Sequence, residues 1–366
     1  MRKIFWICVV AVLVGIGVYV CHRPADTFVV NKPMIKIGAT LPLTGNFAEL
    51  GDQSKLALIK SVEDANENPA HRFHYQLLVE NDEMNTKQIS NIAHKFVTQD
   101  HVNAIVSLFS MSARIVSQVA EKYKVVHFNC GYSDDNILKG KYNFVNFTPV
   151  DKQSVALADF LKANNAKSVS LLFENMGGAD EILKILLPLL QENGIKYDLQ
   201  RFNPGERDFK IVVEKMKQNN FDANIFYSFE PEQDIIAREI INRKLGGKIS
   251  FVEGVMLSKH IDLFNGTYNI GATQASAEFK KKLGIDSTDA AVALYMYDIV
   301  QVFVEAVEKS ALEKGGIPSG DEIADMILHQ KNFNGLAGEY RVAPSGQFYS
   351  EIKTYLIKDG VYEPVK

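Results

Sequence analysis

The stretch that decides the fold runs from Ala104 to Ser133 and reads AIVSLFSMSARIVSQVAEKYKVVHFNCGYS. Two short apolar runs, Ala104–Leu108 and Val125–Phe128, flank a segment whose apolar residues recur at helical spacing. Each apolar run stops at a cluster of small polar residues. The stretch therefore predicts a strand, an amphipathic helix and a second strand, which together form the repeating unit of an open parallel sheet.

Ser110 and Ser133 follow the two predicted strands, at the carboxyl ends where open parallel sheets bind their ligands. Ser110 comes just before the predicted helix, so its hydroxyl and the first N–H groups of that helix could hold an anion such as a carboxylate. Both serines also suit ordinary loop and helix-capping roles. Their spacing alone favours the ordinary roles, so a ligand-binding role needs further support.

The same alternation of apolar and amphipathic segments extends along the chain and restarts near Asp151. Strands that alternate with helices predict an α/β protein, and the restart predicts two doubly wound lobes with parallel sheets. The other predicted strands are Ile35–Leu41, Tyr75–Glu80, Phe144–Phe147, Val169–Phe173, Lys196–Phe202, Ala223–Phe229 and Ile249–Val252, with a β-rich tail from about Tyr340. The other predicted helices are Gly51–Asn66, Asn85–Gln99, Val155–Asn164, Asp180–Asn193, Phe209–Asn219, Glu232–Leu245, Asp289–Lys314 and Asp321–Leu328.

Helical spacing also predicts which residues of a helix face the core. In the helix Gly51–Asn66, apolar residues recur on one face. The helix Asp289–Lys314 has the strongest pattern of this kind. The residues expected to point inward are Leu56, Ile59, Val62 and Ala65 in the first helix, and Leu294, Tyr297, Val300, Val304 and Val307 in the second.

The N-terminus carries an uncharged run from Ile4 to Cys21, preceded by Arg2 and Lys3. A run of about 18 residues is at the lower limit for a membrane-spanning helix, and the two cations predict that the N-terminus stays in the cytoplasm. The residues before Cys21 are bulky, so an uncleaved anchor is favoured over a cleaved signal peptide or a lipid-modified Cys21. Residues 1–32 are then an anchor and tether, and the remainder lies on the extracytoplasmic side.

Composition and motifs exclude several classes of function. The chain is 46% hydrophobic and 23% charged, as in ordinary globular proteins, and its net charge of −4 argues against nucleic acid as a partner. Serine-hydrolase, metalloprotease and phosphate-loop motifs are all missing from the sequence. Cys130 stands apart from the two N-terminal cysteines, with no identifiable base beside it. We therefore expect no enzyme activity, no metal ion and no cofactor.

Several segments together resemble the type I periplasmic binding proteins of the branched-chain amino-acid class. The resemblance covers about Met34 to Lys366, and it rests on the order and spacing of the segments rather than on any one of them. It implies two α/β lobes, joined by three crossings of the chain, that close on a ligand. The segments are Ile35–Gln53 (IKIGATLPLTGNFAELGDQ), the aspartate in Glu80–Glu83, Pro204–Phe209 (PGERDF), Ala293–Asp298 (ALYMYD) and Phe333–Gly335 followed by Gly346.

The same resemblance sets the expected domain boundaries. The three crossings are expected near Thr148–Asp151, Ala275–Lys281 and Ser345–Tyr349. Lobe 1 is then discontinuous and contains residues 33–148 and 278–345. Lobe 2 contains residues 149–277 and 346–366.

The resemblance also implies a set of ligand-binding residues. Ser110 and Ser133 match residues that bind the carboxylate of an amino-acid ligand. Gly131 matches a residue whose carbonyl accepts from the ligand's ammonium group, and Glu253 matches the acidic partner of that ammonium. From the residues alone, Glu253 also suits a solvated loop. The remaining matched positions of the pocket are Phe229, which also suits packing within a lobe, and Leu50.

Two departures from the family pattern concern the ligand and the cysteines. Gly178 stands where the relatives carry a tyrosine that covers the ligand, so a larger or non-standard ligand is expected to fit. Cys130 lacks the second cysteine of the loop disulfide in the close relatives.

The favoured interpretation is a membrane-tethered, extracytoplasmic solute-binding protein. It would bind a small amino acid or an analogue for an ABC permease. The first alternative is a ligand-sensing receptor that uses the same two lobes and signals through a partner. An enzyme or a repressor core is the alternative from another class, but a repressor would need a DNA-binding unit where the apolar N-terminal segment stands.

Overall fold

The computed structural model describes residues 32–131, 137–253, 255, 258, 260–285 and 290–365. The predicted membrane anchor Ile4–Cys21 and the predicted site residue Ser133 both lie outside these residues. None of the helices in the described ranges is both long enough and apolar enough to cross a bilayer.

The first sheet, as far as the structure describes it, has five parallel strands: β1 (Met34–Leu41), β2 (His74–Asn81), β3 (Ala104–Leu108), β4 (Val126–Cys130) and β5 (Asn143–Val145). Their spatial order is β2-β1-β3-β4-β5. The connecting helices are α1 (Ala48–Glu67), α2 (Thr86–Lys95, continued by a π-helical turn Phe96–Asp100) and α3 (Phe109–Tyr123). The predicted unit of strand, helix and strand is therefore present as β3, α3 and β4.

The second sheet begins with five parallel strands: β6 (Ser168–Glu174), β7 (Lys196–Phe202), β8 (Ala223–Tyr227), β9 (Lys248–Val252) and β10 (Tyr268–Gly271). Among described residues, their order β7-β6-β8-β9-β10 repeats the order of the first sheet. The helices of this part are α4 (Val150–Ala163), α5 (Gly177–Glu192), α6 (Lys210–Asn219) and α7 (Glu232–Arg243). In both sheets the strand order reverses once, which places a crevice at the carboxyl ends of the strands.

The C-terminal part adds α8 (Ala277–Leu283), α9 (Ala291–Lys314) and α10 (Gly320–Gln330), followed by a small antiparallel sheet of β11 (Asn332–Gly335), β12 (Gly338–Val342) and β13 (Phe348–Tyr349). The last strands, β14 (Lys353–Lys358) and β15 (Val361–Pro364), extend the second sheet beyond β10 in antiparallel directions. The predicted α/β fold with parallel sheets is therefore confirmed, and the antiparallel strands at this edge belong to the β-rich tail that was expected from about Tyr340. The described residues from Met34 onward belong to one compact unit, and the predicted lobe boundaries within it stay a prediction.

The apolar spacing of helix α1 predicts only part of its buried face. Val62 and Ala65 are buried as predicted, but Leu56 and Ile59 are exposed by 41% and 36%, and the buried face carries mostly small residues. Helix α9 packs on that face, and the hydroxyl of Ser61 donates to the carbonyl of Tyr297 at 2.7 Å. Small side chains allow the two helices to approach closely, so the inward positions predicted for Leu56 and Ile59 are wrong.

Helix α9 is buried on nearly every side and carries a buried aspartate. The carboxylate of Asp298 accepts hydrogen bonds from the N–H groups of Leu336 (2.8 Å) and Ala337 (2.9 Å). It also accepts from the hydroxyl of Tyr340 at 2.6 Å. Burial raises the pKa of Asp298, against the lowering effect of these donors. The aspartate of the segment ALYMYD therefore anchors the turn between β11 and β12.

Candidate functional site

A cavity of about 560 Å³ lies between the carboxyl ends of the two sheets. It is lined by segments that follow β1, β3 and β4 of the first sheet and β6, β8 and β9 of the second. These positions surround the point in each sheet where the strand order reverses, which is where α/β sheets bind ligands. Its volume is within the range of small-molecule sites.

The predicted site residues converge on this cavity wherever the structure describes them. Leu50, Ser110 and Gly131 line it from the first sheet, and Phe229 and Glu253 line it from the second. Gly178, the position that departs from the family pattern, also lines it. The structure thus brings together five residues that are up to 203 positions apart in the sequence (Leu50 to Glu253). Their roles toward a ligand stay predictions.

The first-sheet side of the cavity is formed by the start of α3. Ser110 lies within the first turn of α3 rather than before it, because the helix begins at Phe109. Phe109 has a positive φ of 68°, which turns the chain sharply from β3 into the helix. The N-cap residue Leu108 has no side-chain acceptor for the first N–H groups of α3. An anion in the cavity would suit these groups and the Ser110 hydroxyl.

A chain of buried side chains supports this edge of the first sheet. Asn129 Nδ2 donates to the carbonyl of Phe109 (3.1 Å) and to Ser107 Oγ (2.8 Å). Ser107 Oγ lies 2.8 Å from His127 Nε2, and His127 Nδ1 lies 2.8 Å from Asn143 Oδ1. Sequence reasoning missed these residues because they stand inside apolar strands. The sequence did contain a signal for this network, because the polar residues at positions 107, 127 and 129 stand in strands that are otherwise apolar.

His127 makes the stability of this network depend on pH. Burial lowers the pKa of His127 to about 4, below its ordinary value of about 6.5. The stability that it contributes is complete above about pH 6.5, because the imidazole is then neutral in both states. As the pH falls from 6.5 towards 4, protons bind preferentially to the unfolded chain, and we expect a loss of about 3 kcal/mol.

Denaturant unfolding at neutral pH and near pH 4 measures this effect. The variant His127→Gln keeps a hydrogen-bonding side chain but does not titrate in this range. We expect it to be less stable than the wild type at neutral pH and to lose less stability on acidification. Equal losses in the two proteins would contradict the assignment of the effect to His127.

The second-sheet side of the cavity contains a deeply buried carboxylate. Glu253 is only 1% exposed, so the alternative of a solvated loop acid is wrong. Its Oε1 atom accepts hydrogen bonds from Gln153 Nε2 at 2.9 Å and from the N–H of Ala272 at 3.1 Å. Gln153 follows the first predicted crossing, and Ala272 precedes the second. The Glu253 carboxylate at the cavity is therefore hydrogen-bonded to residues beside the first two predicted crossings of the chain.

Aromatic rings form walls on both sides of the cavity. The rings of Tyr227, the last residue of β8, and Phe229 meet edge to face with centroids 5.5 Å apart. On the opposite side the centroids of Phe47 and Phe109 are 4.9 Å apart. Sequence reasoning missed Tyr227, because the sequence placed it within a strand and did not show to which side its ring points. It also missed the lining residues Phe47, Met84, Met111, Arg114, Phe147, Met176, Asp180, Glu181 and Val292.

The chemistry of the lining suits binding. The thiol of Cys130 lines the cavity, but burial and the nearby charge of Glu253 raise its pKa, so a nucleophilic thiolate is disfavoured. Within the described ranges, groups of three or more His, Cys, Asp or Glu side chains suited to a metal ion do not occur. The cavity combines the N-terminus of α3, a buried carboxylate and apolar walls, an arrangement that suits a small molecule with charged ends.

Two doubly wound sheets with a cavity between their carboxyl ends define the class of two-lobed α/β binding proteins. The family described as "Periplasmic binding protein" matches residues 34–237, more than half of the chain. The chain belongs to this family, within its type I branched-chain amino-acid class, and the family is one of binding proteins rather than enzymes.

Individual relatives agree with this assignment. The chain is 28% identical over 231 residues to Leu/Ile/Val-binding protein homolog 2 of Brucella abortus, an alignment that spans 60% of either protein. Its fold is similar to that of the leucine binding protein LivK of Thermotoga maritima, with a TM-score of 0.77, 20% identity and coverage of 91% and 98% of the two chains. A Rhodopseudomonas palustris solute binding protein of an ABC transporter, in complex with 3,4-dihydroxy benzoic acid, has a TM-score of 0.76, 18% identity and coverage of 90% and 96%.

Proposed function

We propose that this protein is an extracytoplasmic solute-binding protein that captures a small amino acid, or a related ligand, for ABC-type import. The observation that carries the proposal is that groups suited to an anion and a group suited to a cation face each other across one cavity. An uncapped helix start with Ser110 lies on one side, and the buried carboxylate of Glu253 lies on the other. The membrane anchor Ile4–Cys21 is part of the proposal and rests on sequence alone.

A zwitterion matches this arrangement at both ends. Its carboxylate would accept from the N–H groups at the start of α3 and from the Ser110 hydroxyl. Its ammonium would donate to the carbonyl of Gly131 and to the carboxylate of Glu253. Because these groups come from both sheets, a bound ligand would favour the conformation that brings the sheets together, and a permease could distinguish it from the open form.

A thermal-shift screen of amino acids, small amides and short peptides tests the function. A ligand that binds only the folded protein adds about 2.7 kcal/mol of stability at 100 times its Kd. We expect at least one α-amino acid to raise the melting temperature with a saturable dependence on concentration. If amides or aromatic acids shift it and α-amino acids do not, the ligand class proposed here is wrong.

Solution scattering tests the conformational part of the proposal. A ligand that contacts both sheets should shift the population toward the closed form, so we expect a smaller radius of gyration at saturation. The control is the same titration with an amino acid that gave no thermal shift. An unchanged radius at saturating ligand would contradict closure.

A further inference from the structure

The second-sheet side of the cavity carries more negative charge than a single ammonium requires. Asp180 and Glu181 on α5 line the cavity together with Glu253. On the first-sheet side the charged residue of the lining is Arg114, on α3. Cationic groups of a ligand would be attracted to the carboxylates of the second-sheet side.

The three carboxylates differ in what already neutralises them. Asp180 Oδ1 forms an ion pair with Arg201 Nη1 at 2.9 Å. Glu253 accepts from Gln153 and Ala272. Glu181 is partly buried, and its carboxylate forms neither a hydrogen bond nor an ion pair with another described residue. This carboxylate is therefore available to a cationic group of a ligand in the cavity.

Gly178 and Glu181 both line the cavity. The two residues are three positions apart on α5, so they lie on the same face of the helix. Gly178 contributes no side chain to the wall. The apolar lining residues of the second-sheet side include Met176, Tyr227 and Phe229. A ligand that passes Gly178 and reaches Glu181 would need an apolar stem and a polar end.

We propose that Glu181 binds a second positive charge on the ligand, and that the preferred ligands are α-amino acids with a basic side chain on an alkyl stem. This inference rests on the proposed function, because Glu253 and the start of α3 must hold the backbone of the ligand. In this inference Gly178 contributes to selectivity, because a large side chain at position 178 would block the alkyl stem of the ligand.

Titration calorimetry with matched ligand pairs tests the inference. Lysine and norleucine share a four-carbon stem and differ in the terminal ammonium, and arginine and citrulline form a second pair of this kind. In the wild type we expect each basic ligand to bind at least about tenfold more tightly than its neutral partner. The affinity for the basic ligand should also fall more steeply with added salt.

Two variants separate a role in binding from a structural role. Glu181→Gln should remove the preference for lysine over norleucine while leaving norleucine binding within about threefold. Asp180→Asn, which removes a lining carboxylate already paired with Arg201, should preserve the preference. A general electrostatic effect of α5 would change both variants alike and would overturn the inference.

The outcomes also separate this inference from the proposed function. If norleucine or leucine binds as tightly as lysine, and Glu253→Gln weakens that binding, the proposed function stands and the role of Glu181 is wrong. If no α-amino acid binds the wild type, both are wrong. If Glu181→Gln lowers the melting temperature but preserves the preference for lysine, Glu181 is structural and the inference fails.

Discussion

Replacing Glu253 by glutamine is expected to weaken the binding of an α-amino acid about 30-fold to a few thousand-fold. Loss of one partner of a buried charge pair costs about 2–5 kcal/mol, and each 1.4 kcal/mol is a factor of ten in affinity. Glu253 is almost completely buried, so water cannot replace the lost charge. The measurement is titration calorimetry of wild type and variant with the ligand found in the thermal screen.

The hydrogen bonds of Glu253 make this effect specific to charge. Gln153 Nε2 and the N–H of Ala272 both donate to Oε1. A glutamine that keeps its oxygen toward these donors must turn its own NH₂ group toward the ligand's ammonium, which adds a repulsion. The conservative comparison is Ser110→Ala, for which we expect a loss of about 1–2 kcal/mol because the N–H groups of α3 remain. If Glu253→Gln binds as tightly as wild type, the pocket does not recognise an ammonium.

Replacing Asp298 by alanine is expected to lower the free energy of unfolding by about 3 kcal/mol or more. The change leaves the N–H groups of Leu336 and Ala337 and the hydroxyl of Tyr340 without their acceptor. A buried donor that loses its partner costs about 1–3 kcal/mol. Urea unfolding at neutral pH measures the change.

Tyr340→Phe is the matched comparison, because it removes one of these donors together with its need for an acceptor. We expect it to cost about 1 kcal/mol, since only one hydrogen bond is lost. Similar values for the two variants would mean that Asp298 does not anchor the turn between β11 and β12. A loss of ligand affinity in Asp298→Ala at a temperature where it is folded would place its effect at the cavity instead.

Much of the fold was predictable because its strands are buried and therefore stand out as apolar runs in the sequence. β3 and β7 have the predicted bounds, and the helices of the α/β alternation are present with ends shifted by a few residues. The strand β10 was missed, because Tyr268–Gly271 is too short to show a pattern. In the sheet it pairs with β9 on one side and, on the other, with β14 from a distant part of the chain.

The candidate site was predictable in outline, because residues at the carboxyl ends of parallel strands meet at one edge. Ser110, Gly131 and Glu253 could be placed in this way, and the cavity contains all three. The sequence could not show in which direction each side chain points. The bond between Glu253 and Gln153 joins residues 100 positions apart, so it requires the packed structure. The buried face of α1 required it as well, since small residues such as Ser61 carry no apolar signal.

The packing of α9 has a consequence for the order in which the chain is made. All strands of the first sheet precede residue 146, yet α9, whose side chains belong to the same hydrophobic core, begins only at Ala291. A nascent chain that has emerged from the ribosome up to the end of β10 has one face of its first sheet only partly covered, by α1. We therefore expect the N-terminal half to remain sensitive to protease during synthesis until α9 emerges. A chain held open for that long would stay competent for transport in the unfolded state.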